Sequence, residues 1–485
     1  MSGFQIALLV NYILCILLVL DMVFVRKKKA ERILAWTIFL LIPFVGLVIY
    51  LVLGAGLDNF SKSNIKKVQD SAKEYHEHLK KQIDIARNDK SVKYQEEVKD
   101  LIVFNFNSAE SLYSSNNTVD YFCDGQSALD SLLNDIKNAK STIHMEFYIF
   151  SNDEVGKQVK NALIEKVKQG VEVRLLFDAV GSVGTKLSSF SKLKKAGGKV
   201  AEYLPPFLHI DLLNINANYR NHRKICVIDG KVGYTGGFNI RKDHMGKKKR
   251  LSPWRDTTIK LTGSAVNSLQ DIFLSDWRFA TRDKTKLQDY FTEKYFPVIK
   301  SDNGSVPMQI LKSGPDSQSE DIKACMIKMI VSAKKYIKIQ SPYFVPDDAF
   351  LGAIKVALLS GVKVEIMIPQ KIDHTLVHFA NYSYLNDLLP FGLNVYVYTG
   401  FIHSKVLLVD DQILTVGSSN LDIRSFALNF EVNAMIYDSK KVVEYSKIFE
   451  DDKKNCTEYT LQSSKKKSLA FKLATSFCRL FSGVL

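Results

Sequence analysis

His222, Lys224 and Asp229 stand in the spacing H-x-K-x4-D, and His403, Lys405 and Asp410 repeat it. Seventeen residues after each histidine comes an asparagine, Asn239 or Asn420, and Gly236-Gly237 or Gly417-Ser418 lies just before it. The residue types suit a phosphodiester. One imidazole can attack phosphorus and hold a covalent phosphoryl group, while a second protonates the departing alcohol and later deprotonates the incoming one. The two lysines and two asparagines supply donors for the non-bridging oxygens through a five-coordinate transition state. Four such donors could stand in for a metal ion, so neither a metal nor a cofactor is expected. Ser418, where the first copy has Gly237, offers a further hydroxyl to the phosphate. Each imidazole also needs a third group to set its tautomer. Asp256 and Glu431, 34 and 28 residues beyond the two histidines, are the candidates.

Such a site must be built on strands. Residues i and i+2 of a strand share a face, so each histidine and lysine point the same way while Ile225 and Val227, or Val406 and Leu408, alternate away. Asp229 and Asp410 belong to the catalytic set by motif, although Asp229-Gly230 and Asp410-Asp411 read more simply as hairpin turns. The elements before the motifs are duplicated too. Strand starts at Ala139-Lys140-Ser141-Thr142-Ile143 and Ala333-Lys334-Lys335-Tyr336-Ile337 are followed by Gly170-Val171-Glu172-Val173 and Gly361-Val362-Lys363-Val364, then by Gly197-Gly198-Lys199-Val200 and Gly392-Leu393-Asn394-Val395. A repeat this long predicts two homologous α/β domains about a pseudo-twofold axis, sharing one site. The first copy is longer ahead of its histidine, and Phe207, Leu208, Ile210, Leu212, Leu213 and Ile215 in that insertion are candidates for lipid contact or for core packing.

A hydrophobic content of 46% excludes a mainly disordered chain, and the net charge of +15 points to a polyanionic partner. Nearly all of that excess sits in residues 26–32, 247–250 and 465–485. Two of these stretches adjoin apolar segments, which favours anionic membrane lipid over nucleic acid. Residues 6–25 and 33–53 are each long enough to cross a bilayer, and the lack of a basic start argues against a signal peptide. The reading is therefore a multi-pass cell-membrane protein with two N-terminal helices, or a shallower re-entrant hairpin bent at Pro43. The basic loop at 26–32 and the lysines beyond residue 60 oppose each other, so charge assigns no orientation. The six cysteines show no metal or disulfide spacing. The expected organisation is a membrane hairpin at 1–55, a helical connector at 56–105, first and second catalytic domains at 106–300 and 301–460, and a basic amphipathic helix at 461–485. The basic run at 247–250 is read as solvated in preference to headgroup-binding.

With these residues in view, the chain resembles the phospholipase D superfamily, marked by the duplicated histidine, lysine and aspartate pattern. It is similar in particular to bacterial cardiolipin synthases. Asn218-Tyr219-Arg220-Asn221-His222-Arg223-Lys224, Trp254-Arg255-Asp256-Thr257, Ser341-Pro342-Tyr343-Phe344-Val345-Pro346-Asp347 and Asn420-Leu421-Asp422-Ile423-Arg424-Ser425-Phe426 carry the likeness. The resemblance implies two phospholipase D-like domains and a metal-independent transfer between two phosphatidylglycerol molecules, giving cardiolipin and glycerol through a phosphohistidine. It further implies His222 as nucleophile and His403 as general acid and base. A phospholipase D hydrolase or another phosphatidyltransferase is the alternative, and protein partners are not assigned.

Overall fold

The computed structural model describes residues 2–25, 33, 36–38, 40–50, 96–205, 219–299, 304–317 and 319–482. The first half contains strands β1 (Tyr113–Phe122), β2 (Thr142–Phe147), β3 (Glu172–Asp178), β4 (Lys199–Tyr203), β5 (Lys224–Ile228), β6 (Val232–Gly236) and β7 (Thr258–Thr262). The second contains β8 (Val306–Ser313), β9 (Tyr336–Gln340), β10 (Lys363–Pro369), β11 (Asn394–Tyr398), β12 (Val406–Val409), β13 (Ile413–Gly417), β14 (Asn429–Ile436) and an edge strand, β15 (Cys456–Tyr459). Along the sheet the first half runs β1-β7-β6-β5-β2-β3-β4 and the second β8-β14-β13-β12-β9-β10-β11-β15. The order is the same in both, and β1 pairs antiparallel with β8 to join the two into one sheet. This is the pseudo-twofold α/β arrangement that the repeat predicts.

Helices cover the sheet where the sequence caps them. Asp124, Asp153 and Asp347 accept backbone N–H groups at the starts of helices Gly125–Asn138, Glu154–Lys168 and Asp348–Leu359. The alternation read from the motif strands decides the layers. Cys226 and Ile228 pack into the core of the first half, and Leu407 and Val409 into that of the second. Ile225 and Val227 meet Val406 and Leu408 in a core shared by both halves. The burial that holds each motif strand in place is thus partly supplied by the other half.

At the N-terminus one helix, Gly3–Leu20, continues through a π-turn, and its 22-residue stretch Gly3–Phe24 is long and apolar enough to cross a membrane. The second apolar segment is not one straight helix among the described residues. It is broken at 41–44 before a short helix, Val45–Ile49. Pro43 has no N–H to continue the ladder and disfavours helical backbone in the residue before it. The Phe44 N–H freed by the break donates to Asn11 Oδ1 at 3.1 Å, which gives the polar side chain in the first helix a partner. The insertion at 206–218 and most of the connector lie outside the described residues, apart from helix Glu96–Ala109 at its end. The C-terminal segment forms two helices, Leu461–Lys465 and Leu469–Arg479. Phe471 packs on Phe379 and Tyr382, while Leu469, Leu473 and Phe477 remain exposed.

Candidate active site

The two histidines reach the site by the same local device. Arg220-Asn221 pairs in parallel with Asn429-Phe430, and the His222 amide donates to the Phe430 carbonyl at 2.9 Å. Likewise Phe401-Ile402 pairs with Trp254-Arg255, and the His403 amide donates to the Arg255 carbonyl at 2.6 Å. The next residues on the partner segments are Glu431 and Asp256. His222 Nδ1 lies 2.9 and 3.0 Å from the two Glu431 carboxylate oxygens, and His403 Nδ1 lies 2.8 Å from Asp256 Oδ2. Both candidate carboxylates therefore stand beside the rings, but the pairing is crossed. Each histidine is held by the opposite half.

Buried arginines pin this crossing. Arg223 donates from Nε to the Glu431 carbonyl at 3.1 Å and pairs with Asp276. Arg255 donates to Ser404 Oγ at 3.0 Å and pairs with Asp452 at 2.7 Å. Asp178 fixes the approach to His222 by accepting from the Asn221 amide at 2.9 Å and from Arg220 at 3.3 Å.

His222, Asn239, His403 and Asn420 all line one open cavity of about 520 Å³. Lys224 and Lys405 lie buried in the same constellation, each with Nζ turned back to its own histidine carbonyl, at 2.5 and 2.6 Å. Asn239 Oδ1 accepts from the Ile149 amide at 3.1 Å, which fixes the orientation of its side chain. Besides the two lysines, three further positions expected at the phosphate are not on the cavity wall. Ser418 is fully buried and donates to Glu431 Oε2 at 2.5 Å, because strand pairing sets it against Val432 instead of against the phosphate space. Asp229 accepts from the amides of Lys140, Ser141 and Thr142 at 2.7–2.9 Å. Asp410 does the same for Lys334, Lys335 and Tyr336 at 2.5–2.9 Å. Both aspartates have positive φ, 53° and 52°, as tight hairpin turns require. The motif aspartates tie each hairpin to the start of the neighbouring strand.

The two rings shift alike, and their carboxylates differ. Burial lowers the pKa of both His222 and His403 well below the ordinary imidazole value, helped by Lys224 and Lys405 at His222 and by Lys405 at His403. Burial raises the Glu431 carboxyl to about 7, against the opposing pull of Lys224 and the hydrogen bonds of Ser418 and Asn429. Burial would raise Asp256 as well, yet His403, His244 and Lys405 hold it far below the usual carboxylate range. Lys224 is pushed down to about 7 and Lys405 to about 8, both by burial.

Several cavity residues carry no motif signal of their own. His244 lies 3.4 Å from Asp256 Oδ2 and its ring centroid is 5.1 Å from that of His403. The Asn239 backbone amide donates to His244 Nδ1 at 3.3 Å, and Asn239 Nδ2 lies 3.4 Å from its Nε2. Trp254 packs on His403 and Tyr148 on His222, with centroids 5.3 and 4.8 Å apart. Tyr148 directly follows β2 and Tyr343 lies three residues beyond β9, and Tyr343, Trp254 and Arg424 fall within segments already noted for their likeness, which is where a signal existed. His244, Asp256 and His403 bring ligand atoms within 4.8 Å of one another and are the described residues able to hold a metal ion together. In this arrangement both Nδ1 atoms face the Asp256 carboxylate.

Comparison with known proteins agrees with this geometry. The family described as cardiolipin synthase, PLD-like domain, matches residues 132–277 and 326–453, and a phospholipase D-nuclease N-terminal family matches 13–54. The chain is 39% identical to the cardiolipin synthase of Oceanobacillus iheyensis over 98% of both chains. It is likewise 39% identical to the major cardiolipin synthase of Bacillus subtilis over 100% of both. A Staphylococcus aureus cardiolipin synthase is 40% identical over 98% of this chain and 95% of its own. Among solved structures, a phosphatidylserine synthase from Haemophilus influenzae shares the fold with a TM-score of 0.60 at 15% identity, covering 80% of this chain and 100% of its own. The fold and the paired site define a phosphatidyltransferase of the phospholipase D superfamily. Within that class, the chain belongs to the bacterial cardiolipin synthase family. It is a membrane-associated enzyme acting on phospholipid.

Proposed function

We propose that the protein joins two phosphatidylglycerol molecules into cardiolipin and releases glycerol, without a metal ion and without a role for nucleic acid. The observation that carries this reading is that His222 and His403 line one cavity with each Nδ1 already engaged by a carboxylate. Nε2 is then the nitrogen left for chemistry on each ring. His222 Nε2 attacks the donor phosphorus, and His403 protonates the departing glycerol oxygen. Asn239, Asn420, Lys224 and Lys405 stabilise the non-bridging oxygens.

The division of labour follows from the carboxylates. Asp256 stays ionised and opposes the burial that keeps His403 neutral at rest, so it supports the positive charge His403 gains on taking up a proton, which suits an acid and base. Glu431 sits near its midpoint at neutral pH and holds His222 with less fixed charge, which suits a nucleophile that must stay neutral. Residues 106–300 and 301–460 act as the two catalytic halves, and the N-terminal apolar segments anchor them as a two-pass hairpin. The basic, partly exposed C-terminal helix rests on anionic lipid. The test is to supply purified protein with phosphatidylglycerol in detergent with a chelator present. Cardiolipin and glycerol in equal amounts are expected, whereas phosphatidic acid alone would make the protein a hydrolase.

A further inference from the structure

Both the donor and the acceptor in this transfer carry a phosphate, and the chemistry above uses one of them. In-line displacement fixes the direction of the other, given the proposed transfer. His222 attacks phosphorus from one side, so the departing glycerol and later the incoming hydroxyl occupy the opposite position, beside His403. In the second step a bond forms between the acceptor oxygen and phosphorus as the phosphorus–Nε2 bond breaks. The hydroxyl proton passes to His403, and His222 is released neutral. The acceptor's own phosphate is joined to that oxygen through its glycerol, so it lies farther out on the His403 side.

That side of the cavity is basic. His244 and Trp254 both pack on His403, and Lys248 and Arg250 of the loop between them, with Arg241 just ahead, line the wall. Asp243 pairs with Arg241 at 3.0 Å and with Lys248 at 3.3 Å, so one carboxylate is shared by two of these cations. Arg250 is tied across to the second half by an Nη1 hydrogen bond to the Ile372 carbonyl at 2.5 Å. Asp373, also on the wall, accepts from the Tyr343 hydroxyl. The duplication supplies an internal control. Sixteen residues lie between Asn239 and Asp256, and ten lie between Asn420 and Glu431. The shorter segment has one basic residue, Arg424, and the longer one holds the basic run.

We propose that Arg241, Lys248 and Arg250 bind the phosphate of the accepting phospholipid and so select an anionic lipid alcohol over water or a neutral alcohol. Lys247 and Lys249 of the same loop are exposed and do not line the cavity. The experiment offers phosphatidylglycerol in mixed micelles together with ethanol as a competing acceptor. Cardiolipin and phosphatidylethanol then arise from one phosphohistidine, and their ratio reads the choice of acceptor alone. The double variant Lys248→Ala, Arg250→Ala should lower the ratio on the order of tenfold. The double variant Lys247→Ala, Lys249→Ala should keep the unaltered ratio, and added salt should lower the ratio in the unaltered protein. An unchanged ratio in the first variant, or an equal fall in the second, would overturn the subsite. Failure of the unaltered protein to form any cardiolipin would overturn the transfer itself, and the subsite with it.

Discussion

The halves of the protein share one strand order yet surround their histidines differently. On the His403 side the carboxylate is an aspartate, held also by His244, and the residue beneath it is Gly237. A β-carbon at Gly237 would lie 2.0 Å from Asp256 Oδ1, so the short aspartate reaches its histidine only because that position is bare. On the His222 side the carboxylate is a glutamate, longer by one methylene. The position equivalent to Gly237 is Ser418, whose hydroxyl supports Glu431. One scaffold thus carries two protonation chemistries. Asp256 faces two imidazoles and Lys405 and stays ionised, while burial pushes Glu431 up to about 7 against the pull of Lys224 and its hydroxyl and amide donors. Duplication supplies the framework, and small local departures from it assign the roles.

The most drastic way to break the comparison is to remove a ring. His222→Ala and His403→Ala should each lower turnover by about 10⁴-fold or more, read as cardiolipin formed per enzyme. Near-normal activity in either variant would end the shared-site account. Removing charge from the carboxylates separates the halves more finely. Asp256→Asn should cost roughly 10³-fold and Glu431→Gln roughly tenfold less than that, since the aspartate holds the ring that must become charged. The same pair sharpens the pH behaviour. In the proposed transfer Glu431 acts as a carboxylate, and its raised pKa means that the ionised form is lost as pH falls through about 7. Activity of the unaltered protein should therefore decline below neutral pH, and Glu431→Gln should flatten that acid limb. At higher pH, Lys224 and Lys405 lose charge from about 7 and 8 upward, so the alkaline decline should persist in Glu431→Gln. The smallest expected effect is on packing. Gly237→Ser, which copies the second half into the first, should cost about 1–3 kcal/mol in thermal or denaturant unfolding.

The sequence made the repeated strands, the two histidines and the two carboxylates legible, because each rests on a local pattern that the fold repeats. The crossing of the carboxylates was hidden, since comparable spacing within each copy suggests pairing within it. Two-residue strands such as Arg220-Asn221 are too short to leave a periodic trace. Ser418 was expected at the phosphate for a related reason, whereas the motif aspartates sit in the hairpin turns that their sequence context suggested. Residue type says what a side chain can donate or accept, but strand register and turn geometry decide which neighbour it meets. Pro43 did announce a break, and its partner Asn11 could be found only in three dimensions. His244 and the loop after it carry no repeat at all, because they belong to the part of the first half that the second lacks.

The short crossed strands have a consequence for biosynthesis. A ribosome releases the first copy of the motif well before the second, and during that interval His222 has neither Glu431 nor the Phe430 carbonyl to set it. If His222 is the nucleophile proposed above, a half-made chain holds it out of working position, and the surrounding lipids are safe from it until the last strands arrive.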